Sequence, residues 1–373
     1  PLWNPLQFMG APLLGNFQTA IFYPPRLLFR FLDDTYVAMT IYILFRFWLC
    51  GFNAFIAARI LGLRAPFANL FSFLYMLAGY NLIWAFYPPP DVMAWLPLLF
   101  AASEFMLTGR YRLGIALMTV SATMSILAGH PSSLLFGCIG IALYAVIRLI
   151  ALRSPMGHVL RCLFAGGFAL VLSLAISAAQ LLPFIEYMPE MAFFINRFFP
   201  EGVLHYTYSA YDLLGLWGPR ILGTEHEGTF WGSTNHTYVG MLYPGVITWV
   251  GLSLLLSRLE LTRFDRVRVA ALLISSAIVT YLATNFPYAD FVQKLPVIGG
   301  SRPAYFIAFT TFALPWCAVY AIQLWIDRRL PMRSLIRPAI TLGAVALVVA
   351  GALATAPYLS FEYIALHDKG VPI

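Results

Sequence analysis

Long apolar stretches recur along most of this chain, and the gaps between them are alternately rich and poor in basic residues. A helix needs about 20 predominantly apolar residues to cross the hydrocarbon core of a bilayer. Lys and Arg are retained in cytoplasmic loops, so this alternation is what repeated threading through a membrane produces. The pattern predicts an all-α polytopic membrane protein with about 10 transmembrane helices, at 36–58, 67–86, 91–108, 112–129, 132–150, 159–183, 238–256, 268–284, 304–326 and 338–356. The third and fourth are short and interrupted by Pro or polar residues.

Assigning alternate loops to the cytoplasm places fifteen basic residues there: Arg59, Arg64, Arg110, Arg112, Arg148, Arg153, Arg161, Arg258, Arg263, Arg266, Arg268, Arg328, Arg329, Arg333 and Arg337. The opposite side holds seven, Arg26, Arg30, Arg197, Arg220, Lys294, Arg302 and Lys369, and Arg46 falls inside the first helix. The bias persists across five successive loops, and one misplaced helix would destroy it. The organisation that follows is an outer loop with a short interfacial helix (1–35), a first transmembrane bundle of about six helices (36–183) and a large outer loop (184–237). A second bundle of about four helices (238–356) and the start of a further outer segment (357–373) complete it. A chain that begins outside also predicts a helix ahead of Pro1. Chemistry is expected on the outer side, where the large segments lie.

Composition agrees: 10% of residues are charged, against roughly 25% in a soluble chain. The formal net charge of +7 does not point to nucleic acid, because the basic residues are scattered one to four per loop rather than gathered on one face. Cys50, Cys138, Cys162 and Cys317 sit in apolar segments without CxxC spacing and read as buried small hydrophobes. No P-loop, GxGxxG or GxSxG motif stands in a strand–helix context, which argues against nucleotide hydrolysis and serine-hydrolase chemistry. No internal repeat is visible, which weakens an inverted-repeat transporter.

Candidate chemistry gathers where helices meet the outer interface. Twelve of the 16 acidic residues lie outside or at the outer rim, counting Asp91; carboxylates there could serve as general bases or hold a divalent metal near a phosphate. Glu186 follows Gln180-Leu181-Leu182-Pro183 at the end of a helix, where an unpaired carboxylate is costly. His130 sits in Ala128-Gly129-His130-Pro131, a tight break between two helices, where an imidazole could bind phosphate, shuttle protons near neutral pH or cap a helix. Glu225-His226-Glu227 with His236 has the composition of a metal site but no ligand spacing, and reads as a polar loop. Glu104 is expected to pair with Arg110 and Arg112, whereas Arg46 has no partner identifiable from the sequence. Arg302, in Gly299-Gly300-Ser301-Arg302-Pro303, is placed to meet a lipid phosphate through bidentate hydrogen bonds.

Several of these pieces, in order, resemble the bacterial YfhO-like membrane proteins. Leu2-Trp3-Asn4-Pro5, Gly10, Asn16-Phe17-Gln18-Thr19-Ala20 and Phe22-Tyr23-Pro24 resemble that family's first outer loop. Ala128-Gly129-His130-Pro131 resembles its His turn, and Ala179-Gln180-Leu181-Leu182-Pro183 with Glu186 its next signature. Tyr238-Val239-Gly240, Leu295-Pro296 and Arg302-Pro303 continue the match, which covers nearly the whole chain. Ser132 departs from the pattern, where an amide-bearing side chain is expected.

The resemblance implies a GT-C type glycosyltransferase in the bacterial cytoplasmic (inner) membrane. Such an enzyme moves a sugar from a polyprenyl-phosphate donor to a cell-envelope polymer or lipid acceptor on the outer face. It implies catalytic roles for Glu186 and His130, and substrate contacts from Asn4, Asn16, Gln18, Tyr23, Gln180, Tyr238 and Arg302. The superfamily's principal acid follows its first helix closely and would lie upstream of Pro1; Asp33-Asp34, at the far end of the loop, do not replace it. No cofactor is named by the residues, although a divalent metal could assist. The alternatives are a transporter or flippase for a lipid-linked saccharide, and a noncatalytic scaffold. The topology itself is testable: in a variant lacking the four native cysteines, a membrane-impermeant maleimide should label a cysteine placed at 220 in intact cells and leave one at 333 unlabelled until the membrane is opened. Labelling of 333 alone would invert the orientation.

Overall fold

A computed structural model of the chain describes residues 3–5, 10–190, 207–224, 227–232, 236–257, 259–289, 291, 295, 298 and 301–367. Helices dominate it; the only ladder among the described residues is a two-residue antiparallel pair, Trp3–Asn4 against Ala11–Pro12. In chain order the helices are α1 (Pro24–Leu27), α2 (Thr35–Ile60), α3 (Ala65–Met76), α4 (Gly79–Ile83), α5 (Pro89–Met93), α6 (Leu96–Leu107), α7 (Tyr111–Leu127) and α8 (Pro131–Ala151). There follow α9 (Met156–Ile176), α10 (Ala178–Tyr187), α11 (His236–Met241), α12 (Val246–Ser253), α13 (Arg263–Leu282), α14 (Ile307–Asp327) and α15 (Ile336–His367).

Among the described residues, six segments are long and apolar enough to cross a membrane: Thr35–Ile60, Pro89–Leu107, Pro131–Ala151, Met156–Ile176, Pro303–Asp327 and Met332–Gly351. The chain thus has the architecture of a multi-pass, all-α membrane protein. The expected count of about ten is larger for identifiable reasons. The stretch 67–86 is broken into α3 and α4, and 238–256 into α11 and α12, at Leu242–Gly245 around Pro244. The two breaks meet: the Gly79 N–H donates to the Tyr243 carbonyl at 2.9 Å, and a Cβ on Gly79 would fall 2.1 Å from the Gly240 carbonyl oxygen. Only a glycine lets the two backbones touch there. The helix α7 is 17 residues long, and α13 carries Arg263, Asp265, Arg266 and Arg268 in its first turns. The expected helix 159–183 ends at Ile176, and its remainder is α10, which contains Pro183. Within the expected outer loop 1–35, where a short interfacial helix is foreseen, the α-helix ahead of α2 among the described residues is the single turn α1.

At the centre stands α14, packed against α3, α8, α12 and α13 and buried along most of its length. Phe312 meets Phe71 and Tyr75 edge-on and leans on Phe100, so α3, α6 and α14 share one aromatic seam. Peripheral helices differ: only 6% of the Met332–Gly351 window is buried, so its apolar side chains face outward, as a lipid-facing helix requires.

Two buried ionic groups tie opposite ends of this bundle. Near the end that carries His130, Arg46 of α2 and Asp91 of α5 form a bidentate pair at 2.8 and 3.0 Å. The carboxylate also accepts from Tyr42 Oη at 2.6 Å. The remaining guanidinium nitrogen donates to the carbonyls of Ala85 and Tyr87 at 2.7 and 2.9 Å, closing the irregular segment between α4 and α5. Arg46, partnerless in the sequence, is fully paired, and Asp91, read as a rim acid, is buried. At the other end Glu104 is joined to Arg148, Arg268 and Tyr144. Its expected partners Arg110 and Arg112 are not the ones it meets; α8 and α13 bring theirs in from distant sequence. Cys50 and Cys317 are buried as expected, but Cys138 is exposed and Cys162 half-buried.

Breaking a buried pair strands a charge. Arg46→Leu should therefore cost about 3–5 kcal/mol, and Arg46→Leu with Asp91→Leu should recover much of that loss. Thermal unfolding in detergent checks this: equal midpoints for R46L and wild type would show that the pair does not hold the fold.

Candidate functional site

The site is built on the turn between α7 and α8. Gly129 has φ +88, and a Cβ there would stand 2.6 Å from the Phe17 carbonyl oxygen, so the first loop packs directly on the turn. His130 caps α8, and Pro131 follows at the first helical position, where its missing N–H costs nothing. The His130 Nδ1 accepts from the Ser133 N–H at 3.2 Å and lies 2.7 Å from Ser133 Oγ. That hydroxyl is in turn 2.5 Å from Tyr80 Oη of α4.

Rings continue the wall. Tyr305 meets His130 edge-on with centroids 4.8 Å apart. Trp84 lies 5.9 Å from Tyr238 and 6.0 Å from Tyr305, and Tyr238 and Tyr305 are 6.0 Å apart. Arg302 donates to Tyr238 Oη, its guanidinium 5.8 Å from that ring's centroid. Ser132 Oγ donates to Ser301 Oγ at 3.3 Å, so the residue that departs from the family pattern ties the His turn to the Arg302 segment. Behind them Tyr208 Oη donates to the Tyr238 carbonyl at 2.9 Å. Burial, then the neighbouring Tyr80 and Asp212, push the Tyr208 phenol well above its ordinary range, so it remains a donor.

Of the residues foreseen as functional, His130, Tyr238 and Arg302 therefore converge. The others do not join them by any direct contact among the described residues. Gln180 is buried and donates to the Leu127 carbonyl at 3.2 Å, fastening α10 to the last turn of α7, while its own carbonyl oxygen has no partner among the described residues. Tyr23 is buried, accepts from Trp95 Nε1 at 2.9 Å and points its hydroxyl at the Asp91 carbonyl 3.5 Å away. Burial first, then the nearby Asp91, holds the Tyr23 phenol well above its ordinary range. Asn16 accepts from the Gln18 N–H at 3.1 Å within a local turn, and Gln18 itself is exposed. Asn4 is half-buried in the short strand pair. Glu186 is exposed on α10, near the end of that helix.

Tyr80, Trp84, Ser133 and Tyr305 complete the cluster without having been foreseen. Tyr305 stands beside the quoted Arg302-Pro303, and Tyr80 lies within α4 with Trp84 at its C-cap, hidden inside what reads as an unbroken apolar helix. Among the described residues no group of three His, Cys, Asp or Glu side chains is near enough to hold a metal ion. Glu225, His226 and the side chain of His236 lie outside the described residues.

Chemically, the cluster offers tyrosine and indole faces to stack on a sugar ring, with a guanidinium and an imidazole to receive a phosphate. No family model matches this chain, and comparisons with curated proteins and with solved structures return no match either.

Proposed function

We propose that the chain is a membrane glycosyltransferase of the GT-C type, similar to the YfhO-like proteins. It takes a sugar from a polyprenyl-phosphate donor and delivers it to a cell-envelope acceptor on the outer face of a bacterial cytoplasmic membrane. The observation that carries the reading is the convergence of His130, Tyr238 and Arg302 with Trp84 and Tyr305 at one end of the bundle. That end is the one the basic-residue bias assigns to the outside; the reading takes about ten crossings, with α3–α4, α7, α11–α12 and α13 supplying those beyond the six long apolar helices.

The same geometry supports the division of labour. Arg302 and His130 hold the donor phosphate and stabilise the negative charge that grows on it as the sugar–phosphate bond breaks. Trp84, Tyr238 and Tyr305 pack against the sugar. An outer-loop carboxylate, Glu186, deprotonates the acceptor hydroxyl. An apolar cavity of about 360 Å³, lined by Leu213, Trp249, Leu273, Ala277 and Leu314, opens between α13 and α14 and suits the donor's hydrocarbon chain. It shares Thr284 with the Tyr208 bridge that backs the site.

One observation favours the alternative, a transporter or flippase for a lipid-linked saccharide. The broken helices α3–α4 and α11–α12 meet beside the site, and paired discontinuous helices are a transporter trait. Against it, the buried charges Arg46, Asp91, Glu104 and Arg148 within the bundle are paired with one another.

Membranes carrying the complete protein should transfer label from a radioactive polyprenyl-phosphate sugar to an envelope polymer, and membranes lacking it should not. Arg302→Ala should lower that transfer about 10²-fold or more, the scale of losing one transition-state donor. Inserted protein that transfers no sugar, yet moves the labelled lipid between leaflets, would establish the flippase instead.

A further inference from the structure

The aromatic rings of the candidate site are graded in exposure. Tyr238 and Tyr305 are 2% and 5% exposed, Trp84 is half-buried, and Tyr87 is 57% exposed. The two buried rings stand 5.9 and 6.0 Å from the indole. Tyr87 meets the same indole with centroids 5.4 Å apart and planes at 88°. Trp84 therefore has buried rings on its inner side and Tyr87 on the side that reaches the surface. Two rings at right angles bound an inside corner, made of the face of the ring that abuts and the uncovered part of the face it abuts on.

Both walls of that corner are held in place. The Trp84 Nε1–H donates to Met241 Sδ at 3.1 Å, which fixes the indole by its edge. The Tyr87 N–H donates to the Trp84 carbonyl at 2.8 Å. The Tyr87 carbonyl accepts from Arg46 at 2.9 Å, and Pro88-Pro89-Pro90 follow with their φ locked. A wall ordered in advance gives up little freedom when a ligand settles on it. Neither wall carries a charge. The nearest cation of the site is Arg302, whose guanidinium lies 5.8 Å from the ring of Tyr238, the indole's neighbour. Aromatic faces beside a guanidinium suit a ligand whose uncharged ring, bearing C–H groups, is joined to an anion.

Resting on the donor-binding reading above, we infer that Tyr87 is a further sugar-contact residue, and that the Trp84–Tyr87 corner grips the donor's sugar ring while Arg302 takes its phosphate. Phe86 supplies the contrast. It is 73% exposed and lies between the two walls in sequence, yet it makes no ring contact with either among the described residues. Aromatic residues that only anchor a protein at the membrane surface act through their exposed area, so anchoring would use Phe86 and Tyr87 alike. A sugar corner uses Tyr87 and not Phe86.

Binding to the full chain in nanodiscs tests this. The probes are short-chain prenyl phosphates carrying glucose, galactose, mannose or N-acetylglucosamine, and the same prenyl phosphate without a sugar. The wild type should bind at least one sugar-bearing probe about tenfold more tightly than the bare one, the scale of one good aromatic contact. Tyr87→Ala should remove most of that advantage and leave affinity for the bare probe as it was. Tyr87→Phe, Tyr87→Trp and Phe86→Ala should keep the advantage. Thermal unfolding midpoints equal to the wild type's confirm that these surface variants are folded. Equal affinity for sugar-bearing and bare probes in the wild type, or an advantage that survives Tyr87→Ala, overturns the corner. A loss in Phe86→Ala as large as that in Tyr87→Ala assigns both rings to the membrane surface and overturns it as well. A wild type that binds a sugar-bearing probe through Tyr87 yet transfers no label refutes the transferase reading and leaves the corner standing.

Discussion

Inside a bilayer no polar group can turn to water, and this constraint shapes every part of the molecule that is not plain hydrocarbon packing. The bundle answers it with two buried ionic groups near its opposite ends. Arg46 reaches from α2 to Asp91 and, with its spare nitrogen, to the Ala85 and Tyr87 carbonyls, so that the segment 84–88 needs no helix of its own. Glu104 gathers Arg148, Arg268 and Tyr144 from two other helices. Between these groups lies the apolar seam around α14, where the rings of Phe71, Phe100 and Phe312 interlock.

The candidate site depends on the first of these groups. Asp91 fixes α5, and α5 carries the residues against which the first loop settles: Val92 packs with Ala20, Tyr23, Leu127 and Ala128 in one small apolar cluster. Phe17 leans on Phe184 at 4.7 Å while its carbonyl presses on Gly129, so loop, α10 and His turn form one layer. Of the residues foreseen as ligand contacts in that loop, Tyr23 is buried in this layer, whereas Gln18 is exposed. Above the layer, the breaks in α3–α4 and α11–α12 free Tyr80, Trp84 and Tyr238 from helical register, and Arg302 with Tyr305 closes the ring from the start of the central helix.

Membrane class and helical architecture were legible because apolar length and basic-residue bias are one-dimensional properties. His130 and Arg302 stood out as candidates because Gly-His-Pro and Gly-Gly-Ser-Arg-Pro interrupt apolar runs with polar residues. Pairings were not legible: Arg46 finds Asp91 forty-five positions away, and Glu104 passes over its neighbours Arg110 and Arg112 for arginines on other helices. Nor were the broken helices, since Leu77-Ala78-Gly79-Tyr80 reads as continuous apolar sequence and only contact with Gly240 bends it. Tyr80, Trp84 and Tyr305 stayed hidden for the same reason, because an aromatic in an apolar run carries no mark of which neighbour it will face.

The central claim is that a lipid-linked phosphosugar sits in the cluster of Trp84, His130, Tyr238, Arg302 and Tyr305. A photoreactive polyprenyl-phosphate sugar, cross-linked in membranes and mapped by mass spectrometry, tests it most directly. The account predicts label on the peptides that carry 80–84, 238–243 and 302–305, competed away by unlabelled donor. Label confined to the Glu104–Arg148 end of the bundle, or spread evenly over the lipid-facing helices without competition, would contradict it.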